Sequence, residues 1–199
     1  MVITQYLAPV AEPVSLNDLK LHLRIDPDAL DEDEYLEGLE ITARKQAEDY
    51  MGRTIMTTTF DYFLSGWPRS NFIKLPYGNL VSVTSVAWKD QDGVSDTLTV
   101  TTDYLVETNG EGIGKIVLPY SVTWPSGTLY PSNPISIRYI CGWASADLVP
   151  AGIKSAIKLL VAKLYESRGE DVIGPGLSIN EDQTAQRLLY SYRLRDEFI

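Results

Sequence analysis

Few residues in this 199-residue sequence are of types that do chemistry by themselves, and their spacing assembles no reaction centre. His22 is the only histidine and Cys141 the only cysteine. A zinc site needs several such ligands at short spacing. A Ser-His-Asp triad would have to recruit His22 from a helix, and the chain has no Gly-x-Ser-x-Gly elbow. His22 therefore reads as a helix-surface histidine. Cys141 follows the strand-like run ISIRYI and reads as a buried, inert thiol.

Other candidates have simpler readings beside the chemical one. Asp26, Asp28, Asp31 and Asp33 suggest calcium, but the glycine and glutamate that complete an EF-hand loop are missing. They read as solvated acids ahead of a helix. The stretch GEGIG, Gly110 to Gly114, has no Gly-Lys-Ser/Thr and sits between two strand-like runs, so it reads as a hairpin. Trp67, Trp88, Trp124 and Trp143 could line a sugar or peptide groove, although core or subunit contact is the commoner use. No metal, cofactor or catalytic residue is expected.

The elements that would carry these residues are well marked. In EPVSLNDLKLHLRI, Ser15 is a good N-cap, with Asp18 three residues on. Val14 and Leu19 take the two positions of a hydrophobic staple, and Leu16, Leu19 and Leu23 share a face. That helix should end near Asp26-Pro27. A second helix follows DEDE, whose carboxylates suit a helix N-terminus. Its apolar stripe is Leu36, Leu39, Ala43, Ala47 and Tyr50, and Gly52 should stop it. From Thr54 to Gly142 the chain is rich in Thr, Val, Tyr and Trp, with turns at short intervals, which predicts six to eight short antiparallel strands. Helical spacing returns after Pro150 and runs through Ile153, Ala156, Ile157, Leu160, Val161 and Leu164. A Gly/Pro loop follows, then a last helix from near Asp182 with Ala185, Leu188, Leu189 and Tyr192 on one face.

The predicted class is α+β: a small helical bundle built from both chain ends, with an antiparallel β subdomain inserted. The expected limits are 1–53 for the N-terminal helices, 54–149 for the β insertion, 150–168 for the core helix, and 169–199 for a loop and partner-binding tail. Composition is ordinary for a globular protein, with 44% hydrophobic and 22% charged residues. No stretch has the apolar length of a membrane span, and the N-terminus lacks the features of a signal peptide. One cysteine permits no internal disulfide, which suits a reducing cytosol. A formal charge of -10 disfavours nucleic-acid binding, which needs clustered Lys and Arg.

Two surfaces stand out. The C-terminal LLYSYRLRDEF mixes aromatic and arginine residues of the kind enriched in interface cores, and after its loop it could dock on a partner. Lys20 and Arg24 lie off the leucine stripe of the first helix and are candidate subunit contacts with acids of a neighbour.

In their order, the motifs EPVSLNDLKLHLRID, ARKQAEDYMGRTIMTTTFDYFLSGWP, IKLPYGNLVSVTSVAWKDQDG, PISIRYICGW, VPAGIKSAIKLLVAKLYESRGE and LLYSYRL resemble the head-tail connector, or adaptor, proteins of tailed bacteriophages. The group is the gp6-like or gp8-like connectors. The resemblance runs over nearly the whole chain, and LPYGNLVSVTSV and VPAGIKSAIKLLVAKLYESR carry most of it. It implies a non-catalytic ring, typically of twelve subunits, beneath the portal protein in the virion neck. Such a ring is assembled in the host cytoplasm, extends the channel for genomic DNA, and docks the next stopper or tail-side neck protein. DNA would pass without sequence-specific binding, and no membrane is involved. The portal-contacting role falls on Leu188 to Phe198, with Leu188, Leu189, Tyr190, Tyr192, Arg193, Arg195 and Phe198 as the expected contacts. Rival readings are a β-rich ligand- or glycan-binding module and an enzyme of unknown type.

Overall fold

The computed structural model describes residues 2–167 and 183–194. The chain divides into two compact units, Met1–Val10 with Met56–Trp143, and Ala11–Ile55 with Ala144–Ile199. The class is α+β, with an antiparallel β unit and a helical unit, each assembled from two stretches of the chain.

The β unit holds eight strands: β1 (Val2–Leu7), β2 (Thr58–Leu64), β3 (Phe72–Leu75), β4 (Leu80–Lys89), β5 (Ser95–Leu98), β6 (Leu105–Glu107), β7 (Gly114–Val117) and β8 (Ile135–Cys141). They form a five-stranded sheet ordered β1-β2-β8-β4-β5 and a three-stranded sheet ordered β3-β7-β6. Both β2 and β8 bury every second residue, as period-two side-chain alternation dictates for a sheet covered on one face. The register sets Phe60 opposite Tyr139, Tyr62 opposite Ile137 and Leu64 opposite Ile135, so the apolar sets coincide on one side. Ile73, Leu75 and Ile116 of the smaller sheet join the same core. Behind β8, Gly142 has φ 105°, a conformation that L side chains rarely adopt. A Cβ there would collide with the backbone carbonyl of Met56.

Strand β1 departs from expectation. The sequence assigned residues 1–53 to the helical core, yet Val2–Leu7 pairs antiparallel with β2 and belongs to the β unit. Six residues with little periodicity cannot announce their own partner. That choice is made by a backbone edge more than fifty residues away.

The helical unit holds α1 (Leu16–Leu23), α2 (Asp33–Met51), a 3₁₀ turn (Ala146–Leu148), α3 (Ala151–Glu166) and α4 (Gln183–Tyr190). Ser15 caps α1 as predicted, its hydroxyl accepting the Asp18 amide at 3.1 Å. Val14 and Leu19 are both buried beneath it. Arg24 ends α1 in the left-handed conformation, and Gly52 does the same for α2. Leu36, Ala43 and Ala47 of α2 are buried, as are Ile153, Ala156, Ile157 and Val161 of α3. Each such leucine or isoleucine contributes about 1.5–3 kcal/mol by leaving water.

Candidate interaction surfaces

The tail proposed for partner binding is partly committed to its own unit. In α4, Ala185 and Leu189 are buried, Leu188 is half-buried and Tyr190 is exposed. The Tyr192 ring lies against Gly152 of α3, the Arg193 guanidinium sits 5.3 Å from the Tyr50 ring centre, and the Leu194 amide donates to the Met51 carbonyl at 2.8 Å. The helix is therefore docked by one face, with Tyr190 and Arg187 on its exposed side. Burial of Leu189 follows from its helical spacing with Ala185, which sets both on the stripe that meets the unit's interior. Arg195 and Phe198 lie outside the described residues.

The two basic residues singled out on α1 have different fates. Arg24 is exposed at the left-handed end of the helix. Lys20, expected at a subunit boundary, is only 3% exposed. Its ammonium donates to the carbonyls of Pro27 at 3.1 Å and Ala29 at 2.7 Å, and pairs with Asp33 at 2.5 Å. Its charge therefore closes the loop between α1 and α2. Asp26 is likewise used locally, accepting the Asp28 amide at 3.0 Å. His22 is exposed on α1.

The sequence did not predict the charged ladder along α2. Glu40, Arg44 and Glu48 stand at i, i+4 and i+8, so they share one face. Glu40 and Arg44 are 3% and 5% exposed. Arg44 Nε donates to Glu12 Oε2 at 2.6 Å and its Nη1 to Glu48 Oε2 at 2.9 Å. Glu40 Oε1 accepts the Val14 amide at 3.0 Å, and Glu48 Oε1 accepts the Ile55 amide at 2.8 Å. Burial is the main cause that raises the Glu40 carboxyl to about 7, with Glu12 and Glu37 adding to it against the Val14 amide and Arg44. Burial also lifts Glu48. For Arg44, burial opposes the charge, but the bonds to Glu12 and Glu48 outweigh it and hold the guanidinium above its ordinary value. The only hint in the sequence was the i, i+4 recurrence of opposite charges next to the apolar stripe, a pattern that usually lies in solvent.

In the β unit, Arg138 of β8 donates twice to Asp61 of β2, at 2.7 and 2.8 Å, and lies 3.5 Å from the Tyr6 ring centre on β1. This bidentate pair and its aromatic cover tie three adjacent strands together. Trp67 and Trp124 stack on each other, 4.9 Å apart and 5° from parallel, while Trp124 Nε1 donates to the Ser70 carbonyl at 2.9 Å. The two rings thus use one face each on one another rather than forming an open platform. A cleft of about 330 Å³ beside β2 and β3 is lined by Tyr62, Leu64, Ser65, Gly66, Pro68, Ser70, Phe72, Ile73 and Lys74. Cys141 is fully buried, and burial pushes its thiol up to about 12, far from a reactive thiolate. Among the described residues, no cluster of three or more His, Cys, Asp or Glu is arranged to hold a metal ion, and no helix is long and apolar enough to cross a membrane.

What the geometry offers is therefore surface and scaffold, and known proteins share parts of it. Residues 13–107 match the family of phage gp6-like head-tail connector proteins. That stretch runs from the start of the α1 cap to the end of β6, so the connector resemblance holds across the junction of helices and strands. No curated protein matches the chain by sequence. Among solved structures, the neck of an empty gene transfer agent particle computed with C6 symmetry has a TM-score of 0.80 at 19% identity, covering 100% of this chain and 98% of that one. The virion of the native gene transfer agent particle gives 0.78 at 19% identity, with the same coverage. The neck of the native particle computed with C12 symmetry gives 0.78 at 17% identity, again with the same coverage. The fold of this chain is thus similar to that of chains in these gene transfer agent structures.

Proposed function

We propose that the protein is a structural adaptor of a phage-like virion neck. It forms a ring beneath the portal protein, typically of twelve subunits, extends the channel through which genomic DNA passes, and docks the next stopper or tail-side neck protein. The observation that carries this reading is the connector-family match over residues 13–107. The full-length fold likeness to neck structures computed with six-fold and twelve-fold symmetry supports it.

Physical considerations agree. Cyclic rings are built from heterologous contacts, which need rigid units with distinct surfaces rather than a catalytic cleft. A net charge of -10 suits a channel that must let DNA slide without adhering. The portal contact is assigned to the exposed side of α4 and the residues after it, including Leu188, Tyr190, Arg193, Arg195 and Phe198. Arg24, exposed at the end of α1, is the remaining subunit-contact candidate. The function requires no catalysis.

The test is to mix the purified full chain with purified cognate portal rings and follow assembly by sedimentation and electron microscopy. A complex with cyclic symmetry on one end of the portal is the expected outcome. A chain that never joins the portal in any assembly condition sinks the proposal. Changing Tyr190 to Asp should weaken attachment while leaving the helical signal intact, because the side chain lies on the exposed side of α4.

A further inference from the structure

The ladder on α2 holds both places where the chain leaves the helical unit. The first crossing falls between Val10 and Ala11, the second between Ile55 and Met56. Just inside the first, Glu12 and the Val14 amide are bound by Arg44 and Glu40; just inside the second, the Ile55 amide is bound by Glu48. Arg44 joins Glu12 to Glu48, so the two connecting segments hang on the same guanidinium. We propose that this ladder is a proton-sensitive fastener that ties both connecting segments to α2, with Glu40 as its sensing member.

The geometry gives Glu40 that role. Three carboxylates, Glu12, Glu40 and Glu48, lie near one guanidinium, and Arg44 bonds Glu12 and Glu48. Glu40 is left with a backbone amide as its partner, in a site almost closed to water. The charged groups acting on it are Glu12 from the segment before α1, and Glu37 and Arg44 from α2 itself. Two of these three are acids. An ionised Glu40 is thus opposed by burial and by its neighbours, whereas a protonated Glu40 keeps an oxygen for the Val14 amide without a buried uncompensated charge.

The sign follows from linkage. The closed state holds its proton up to about 7, whereas a state with Glu40 in water titrates at the ordinary value of 4.5. Between these values the closed state binds more protons, so raising the pH favours release of the Glu12–Val14 segment. The opening equilibrium should rise about tenfold per pH unit across that window and level off above it. Because Arg44 bridges the two segments, loosening at Val14 should carry Ile55 with it.

The experiment is hydrogen exchange on the full chain from pH 4.5 to 8.5, with amide rates at Val14 and Ile55 divided by their intrinsic rates. Protection at both sites should fall together as pH rises to about 7, then stay level. Glu40→Gln, which keeps the acceptor oxygen without the charge, should hold Val14 protected with no slope. A flat wild-type profile, or the same slope in Glu40→Gln, overturns the proposal; loss at Val14 alone overturns the shared fastening. Should Glu40→Gln fail to fold, carbon-13 titration of the wild-type Glu40 carboxyl decides the matter. A midpoint near 7 supports the fastener, and one in the ordinary carboxylate range rejects it.

Discussion

The two units bury different things. The β unit closes over a largely apolar interior, from Phe60 and Ile73 to Ile137, and the polar groups buried there, among them those of Thr58, Asn79, Tyr62, Tyr104, Tyr139 and Cys141, belong to side chains without a formal charge. The helical unit buries Lys20, Glu40, Arg44 and Arg53 beside its leucines and isoleucines. One core is held by area removed from water, which is tolerant of detail and non-directional. The other depends in part on charges that are stable only while every partner stays in place.

The contrast can be broken by mutation, and the chain supplies its own reporters. All four tryptophans lie between Met56 and Trp143, so fluorescence follows the β unit while helical circular dichroism follows the other. The largest effect should come from Arg44→Ala, which leaves Glu12 and Glu48 without their shared cation. Urea unfolding read by circular dichroism should show a loss of about 3–5 kcal/mol. A change under about 1 kcal/mol would mean that the carboxylates are already solvated. Next comes Ile137→Ala in the β core, where cavity and transfer terms together should remove roughly 2–5 kcal/mol by tryptophan fluorescence. If both variants lower both signals equally, the units unfold as one and the comparison of two interiors fails.

Smaller changes sharpen it. Ser15→Ala removes the hydroxyl that accepts the Asp18 amide and should cost about 1 kcal/mol in the helical signal alone. Tyr139→Phe is expected to be the mildest. The phenol is buried, has no hydrogen-bond partner among the described residues, and is pushed by burial well above its ordinary value. Removing that oxygen should leave stability within about 0.5 kcal/mol or raise it slightly. A loss of more than about 1 kcal/mol would mean that the hydroxyl has a partner, such as a bound water.

Much of this was legible from residue patterns. The cap and staple at Ser15, Val14 and Leu19 are local, so three neighbouring residues suffice to announce them. The alternation in TTTFDYFL and ISIRYIC, and the turn at Asn109-Gly110, likewise mark strands and a hairpin without knowledge of the rest. Less legible were features whose cause lies far along the chain. VITQYL became β1 only because an edge of β2 was free to receive it. Leu189, grouped with a partner-binding tail, proved to be interior because α3 lies against its helix. Lys20, grouped with subunit contacts, was captured by the loop carbonyls of Pro27 and Ala29.

The sequence alone determined the main helices, the strand-rich middle and the apolar stripes, because each depends on spacings within a few turns or strands. It also carried the connector resemblance, which needs only ordered motifs. Tertiary structure alone decided which strand meets which, which face of α4 is inside, and that Glu40 and Arg44 are buried rather than solvated. The reason is physical. Helical and strand periodicity are set by the local backbone, whereas the environment of a charged side chain is set by whatever long-range packing brings against it. Here Glu12 and Val14 come from one side of the sequence and Ile55 from the other, and they turn an ordinary i, i+4 row into an enclosed ladder.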